Sequence, residues 1–275
     1  MINFNGECFS DYSAIPDKWL SNLHSLPIHT HYLAAFRGVI PVLESHYFSM
    51  MSALRRSRVE IPMHFTLNYF QEQLDFLNEY EVDQSENQKI MIQFYRTQKP
   101  TLENPVCSLF FVMQIESTIW EQKYLDLILY KDYYIFADDY SNLFQTYDPL
   151  RKLARVFAYE NGFGAALLLN HHKRVAGSTH GAVFLINDKE VQTSLLSEGS
   201  VADVLRASVI DYFEKDREWN LIETEIPTFS IQQAQEVFLI SSEHGWIQIN
   251  RYRKKKFETD QSKVIYQQFL SHLGS

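Results

Sequence analysis

A chain of 275 residues, 45% hydrophobic and 21% charged, can bury a sizeable core as one large domain or two smaller ones, and its composition excludes extensive disorder. A formal net charge of −9 argues against a general nucleic-acid binder or a protein drawn to anionic membranes, since both need a positive field. The two cysteines, Cys8 and Cys107, form neither a disulfide framework nor a metal-ligand spacing.

In chain order, "MINFNGECF" and "YLAAFRGVIPVL" read as strands, and "ESHYFSMMSALRRS" places Tyr47, Met50, Met51 and Leu54 on one apolar helical face. A second helix, "TLNYFQEQLDFLNEYEV", starts at Thr66 as N-cap, and a polar turn "DQSENQ" leads to the strands "KIMIQFYR" and "VCSLFFVMQI". These elements make an α+β lobe over residues 1–118. A larger lobe over 123–275 opens with the strand "LDLILY" and the helix "PLRKLARVFAYENG", closed by Gly162. It continues through the strand "AALLLN", the turn "HHKR", the strand "AVFLIND" and the helix "SVADVLRASVIDYFEKD". The strands "EVFLISS" and "WIQINRYR" and a last helix, "SKVIYQQFLSHL", complete it. The longest apolar run, around "SLFFVMQI", is too short to span a bilayer, and the N-terminal stretch has no apolar core of a signal peptide. A reducing cytoplasm is therefore the expected location, with no membrane or nucleic-acid partner. The basic run "RYRKKK", Arg251 to Lys256, reads as a solvated tip between a strand and the last helix.

Among the ten histidines, His29 and His31 in "IHTHY" share one face of a strand and could begin a metal site. No third ligand is identifiable, and no metal is expected. His171, His172, His180 and His244 read as satisfied polar side chains. There is no glycine-rich phosphate loop, nucleophile elbow or paired-cysteine motif.

Six segments in order, "FRGVIPVLESH", "SNLF", "ENGFGAALLLN", "RVAGSTHGAVFLI", "LLSEGSVADVLR" and "EVFLISS", resemble the fold-type IV pyridoxal-phosphate enzymes. These are the class IV aminotransferases, including the branched-chain and D-amino-acid enzymes, and the aminodeoxychorismate lyases. The resemblance implies an α/β (α+β) protein with the two-lobe D-amino-acid aminotransferase-like fold, a cofactor cleft between the lobes and a homodimeric state. It also implies site residues, and at those positions the chain departs from the family. Where "SNL" should be followed by the lysine that bonds the cofactor, this chain has Phe144, which has no nitrogen. The alternative is an active aminotransferase or lyase that uses a different lysine, Lys131 or Lys152. Three residues past His46, the phosphate-gripping arginine is replaced by Ser49. The glutamate that meets the pyridine nitrogen is replaced by Gly177. At the helix start "DVLR", where backbone N–H groups of Val204 and Leu205 would face the phosphate, Asp203 stands in place of a glycine.

Ser241 and Ser242 complete the ancestral cofactor pocket. His31, His46, Ser178, Thr179 and Arg206 are the candidates for binding a small polar or anionic ligand in its place. The chain is thus expected to be a catalytically degenerate member without bound pyridoxal phosphate, retained to bind a ligand or a partner.

Overall fold

The computed structural model covers residues 1–20, 23, 26–36, 39–81, 87–97, 108–116, 123–138, 141–142, 148–216 and 218–273. Phe144, Cys107 and most of "DQSENQ" lie outside these described residues. The chain divides into two compact units, one drawn mainly from Met1–Trp120 and the other from Glu121–Phe144 and Asp148–Ser275.

The first unit opens with a hairpin, β1 (Ile2–Phe4) and β2 (Glu7–Phe9), where a single strand is expected. The chain reverses at Asn5–Gly6, both at positive φ, and Asn3 Oδ1 accepts from the Gly6 amide at 2.8 Å to hold the turn. After the short helix α1 (Asp17–Leu20) comes β3 (His29–Phe36), which ends before Val39. α2 (Leu43–Arg56) buries Met50, Met51 and Leu54 on the expected face, with Tyr47 half-buried beside them. α3 (Leu67–Glu81) starts as read: the Thr66 Oγ1 accepts from the Tyr69 amide at 3.2 Å. β4 (Asn87–Arg96) and β5 (Leu109–Glu116) complete an antiparallel sheet of order β2-β1-β5-β4-β3. Its core is aromatic, with Phe65, Phe70, Phe94 and Phe111 packed at ring separations between 5.3 and 6.3 Å.

The second unit is built on β6 (Lys123–Leu129), followed by α4 (Pro149–Glu160) and β7 (Ala165–Leu169). Then come β8 (Val175–Ser178), β9 (Ala182–Asn187) and β10 (Glu190–Ser194), the helix α5 (Val204–Lys215), and β11 (Asn220–Thr224). α6 (Ser230–Gln233), β12 (Glu236–Ser241), β13 (Gly245–Tyr252), β14 (Lys255–Lys256) and α7 (Asp260–Leu273) finish the chain. The sheet has the order β11-β10-β9-β12-β13-β6-β7-β8, with β14 beside β13. It is mixed: β10–β11, β13–β6 and β6–β7 run parallel and the other pairs antiparallel. The run "AALLLN" is buried throughout because β7 is an inner strand covered on both faces. No helix among the described residues is long and apolar enough to cross a membrane.

Candidate functional site

In the second unit three backbone features meet at the start of α5: the β8–β9 turn, the β12–β13 turn and the loop that enters the helix. The first turn of any α-helix leaves amides without intrahelical partners, and its dipole favours a negative charge there. Asp203 supplies that charge from within the chain. Its Oδ1 accepts from the amides of Leu205 at 2.9 Å and Arg206 at 3.4 Å. The same carboxylate reaches across to the β12–β13 turn, taking the Ser242 amide at 3.1 and 3.0 Å and the Ser242 hydroxyl at 3.1 Å. Burial pushes its pKa above the ordinary carboxylate value, against the lowering effect of these donors. Val204 and Leu205 are buried beneath it as the first helical residues.

The entering loop is tied to the "SN" of "SNLF". The Asn142 carbonyl accepts from the Ala202 amide at 2.9 Å, and its side-chain amide, oriented by its neighbours, donates to the carbonyls of Ser200 and Leu196 at 2.9 and 2.7 Å. Asn142 therefore anchors the start of that motif to the approach of α5.

The β8–β9 turn consumes its own hydroxyls. Ser178 Oγ donates to the Gly181 carbonyl at 2.9 Å and accepts from the His180 amide at 3.1 Å. Thr179 Oγ1 accepts from the Ala166 amide at 3.0 Å and meets His180 Nδ1 at 2.9 Å. Ser241 Oγ donates to the His180 carbonyl at 2.9 Å, joining the two turns. Gly177 lies buried on β8 opposite Leu168; a Cβ there would stand 3.3 Å from the Gly181 carbonyl oxygen.

Most residues expected to bind a ligand are spent internally. Ser178 and Thr179 are each 1% exposed and hold the turn, so neither hydroxyl is presented outward. Arg206, expected to lend a positive charge, is buried, with its guanidinium donating to the Ser194 carbonyl at 2.8 Å and paired with Glu223 at 2.5 Å. His31 and His46 belong to the first unit, where His31 Nε2 and His46 Nδ1 lie 2.9 Å apart inside the core. Burial lowers both pKa values, that of His46 to about 3, so both rings are neutral at pH 7. Ser49 sits half-buried on α2 of the same unit. Lys131 and Lys152 are both exposed. No group of three or more metal-ligating side chains occurs among the described residues.

Sequence reasoning missed one cluster. Arg155 on α4 reaches the Thr179 carbonyl at 3.1 Å, His244 Nε2 at 2.9 Å and Glu243 at 3.8 Å. The His180 and His244 rings lie 4.4 Å apart, and burial with nearby Arg155 and Lys123 lowers the His180 pKa to about 4. Only the helical register of α4 carries a signal for Arg155, because its partners come from turns distant in sequence. The cluster adds the neutral His180 imidazole, the His244 ring and a paired cation to the site.

The family model for amino-transferase class IV matches residues 32–252. The chain belongs to that family. No curated protein matches the chain. Among solved structures, this class IV aminotransferase-like chain is similar to the branched-chain amino acid aminotransferase of Thermobaculum terrenum in its PLP form, with a TM-score of 0.82 at 16% identity over 99% of this chain and 93% of that one. The branched-chain amino acid aminotransferase of Escherichia coli superposes with a TM-score of 0.80 at 13% identity, covering 98% and 93% of the two chains. An aminotransferase of Brucella abortus bound to PLP gives 0.80 at 16% identity, covering 98% of each. The fold, two sheets with α/β connections, is that of the fold-type IV proteins.

Proposed function

We propose that this class IV aminotransferase-like chain is catalytically degenerate and serves as a ligand-binding or partner-binding protein without pyridoxal-phosphate chemistry. The observation that carries the reading is Asp203. The amides at the start of α5, which the family resemblance assigns to the cofactor phosphate, already hold a carboxylate of this chain. A phosphate brought beside that carboxylate meets like charge: at ~4 Å and an effective dielectric of ~20, two unit charges repel by roughly 4 kcal/mol.

The other residues present do not fit pyridoxal phosphate either. Gly177 has no side chain to meet a pyridine nitrogen, Ser49 carries no cation, and Phe144 has no amine to bond the aldehyde. The lysines nearest in sequence to that position, Lys131 and Lys152, are exposed. Each lost charge-assisted contact is worth about 1.5–3 kcal/mol, which is roughly tenfold or more in affinity per contact.

Adding pyridoxal phosphate to the purified protein and following its visible absorption, with borohydride trapping and an amino-group transfer assay, tests this reading. No protein-derived shift, no trapped adduct and no transfer are expected. A trapped lysine adduct with turnover would establish an active enzyme. A second comparison tests the independence of the lost contacts. Phe144→Lys alone is expected to give weak adduct formation, whereas Phe144→Lys with Ser49→Arg, Gly177→Glu and Asp203→Gly binds the cofactor more tightly by at least about tenfold. Tight binding and turnover by Phe144→Lys alone would show a site intact but for one residue.

A further inference from the structure

The basic run at the β13–β14 turn has a place in the fold that the ancestral site does not use. It forms one wall of an open cavity of about 520 Å³ in the second unit, whose other walls are the β7–β8 turn and the loop carrying Thr228 and Phe229. The cavity adjoins the start of β8, whereas Gly177 and Ser178 lie at the other end of that strand. His172, Lys173, Arg174 and Arg253 line it, with the ring of Phe229, which is 58% exposed.

In a chain of net charge −9 this concentration of cations is a local reversal of sign. Arg174 is already matched, at 3.1 Å from Glu198 and 2.7 Å from Glu225. Lys173 and Arg253 are both exposed, and neither has an acidic partner among the described residues. Both also sit in left-handed backbone, at φ +61° and +55°, a conformation that glycine adopts far more readily than a residue with a Cβ. Two long cations are thus held at turn positions where local preference favours glycine.

The turn beneath Lys173 is tied by hydrogen bonds. Asn170 Oδ1 accepts from the amides of His172 and Arg174, both at 3.0 Å, and the Asn170 carbonyl accepts from the Lys173 amide at 2.8 Å. Thr228 Oγ1 donates to the Lys173 carbonyl at 3.3 Å, tying the opposite wall to the same turn. Arg253 lies 5.3 Å over the buried ring of Tyr252.

We propose that this cavity binds a small phosphate monoester, with the phosphate between Lys173 and Arg253 and an aromatic group of the ligand against Phe229. Two unmatched positive charges suit a phosphate monoester, which carries about −1.5 to −2 at pH 7. The guanidinium offers paired donors and the ammonium a point charge. The volume far exceeds what inorganic phosphate fills and falls in the range of roughly 300–1,000 Å³ common to small-molecule sites. An exposed ring face on the wall selects a planar group, because stacking on it removes apolar surface from water.

Calorimetric titration of the full chain with adenosine 5′-monophosphate, adenosine and inorganic phosphate tests the proposal. The monophosphate binds, inorganic phosphate binds more weakly, and adenosine more weakly still. Lys173→Gly and Arg253→Gly each weaken binding of the monophosphate by about tenfold while raising the melting temperature, because glycine relieves the left-handed backbone. Phe229→Ala weakens the monophosphate and leaves inorganic phosphate unchanged. The proposal is overturned if the monophosphate does not bind at millimolar concentration, or if adenosine binds as tightly. It is equally overturned if the two glycine variants together retain wild-type affinity, or if inorganic phosphate matches the monophosphate.

Discussion

Asp203 combines two tasks in one carboxylate: it caps α5 and it clamps the helix start to the β12–β13 turn through Ser242. Removing it leaves the first amides of α5 and the Ser242 amide without their acceptor. Asp203→Ala is therefore expected to destabilise the fold by about 2 kcal/mol, at the upper end of measured cap losses, with Asp203→Asn milder because an amide oxygen still accepts. Chemical denaturation checks both, and an unchanged midpoint in Asp203→Ala would show that the clamp contributes nothing. The histidine pair in the first unit sets a different dependence. His46 is pushed down to about 3 from 6.5 and His31 well below 6.5, chiefly by burial, so the folded state binds protons less readily than the unfolded one. Their contribution is complete above pH 6.5 and is lost as the pH falls from there towards about 3. Melting temperature should drop on acidification through that window, and His46→Leu should flatten the slope. Equal slopes in wild type and variant would remove the pair as a cause.

At the scale of elements, three helices of the second unit start on carboxylates: Asp148 takes the Arg151 amide for α4, Asp203 serves α5, and the buried Glu236 on β12 takes the Gln261 and Ser262 amides for α7. The Asp148 cap can be read from its place before Pro149, but Glu236 is legible only once β12 is folded against α7. The same distinction governs the strands. Long runs such as "KIMIQFYR" and "EVFLISS" carry enough apolar residues to declare themselves, whereas β10 and β11 are short and polar and exist because they pair in parallel at the sheet edge. Between the turn "HHKR" and the strand "AVFLIND" the structure adds β8, a separate strand because the chain turns from Ser178 to Gly181. Gly181, at φ +125°, makes that turn beside β12: a Cβ would lie 2.1 Å from the Ile240 carbonyl oxygen. Gly181→Ala must displace backbone and is expected to cost about 4 kcal/mol or more, among the largest single-residue effects. A thermal midpoint within a few degrees of wild type would contradict the close approach. Ser49, Gly177 and Asp203 are legible as letters at the positions the resemblance assigns to the cofactor, while the internal use of Ser178, Thr179 and Arg206 is not, since their partners are set by tertiary contacts.

For the molecule as a whole, a two-fold dimer is what the family resemblance leads one to expect, and the first unit indicates where to test it. Of the aromatics Tyr32, Phe36, Tyr47 and Phe48 in that unit, the first three are only half-exposed, and the Tyr47 hydroxyl is committed to the Phe65 carbonyl at 3.1 Å. Phe48 on α2 differs, with 59% of its surface open in the single chain. A two-fold axis brings the same patch of each copy together, so one exposed phenylalanine contributes twice. Fully burying such a side chain stabilises by roughly 1.5–3 kcal/mol. Phe48→Glu removes that burial from both copies and adds two carboxylates to an interface between chains that each carry −9. Light scattering is expected to give a dimer for the wild-type chain at micromolar concentration and a monomer for Phe48→Glu. The melting behaviour of each chain should otherwise change little, because an exposed side chain supports no core. A monomeric wild type would sink the dimer, and a Phe48→Glu variant that remains fully dimeric would move the interface elsewhere on the surface.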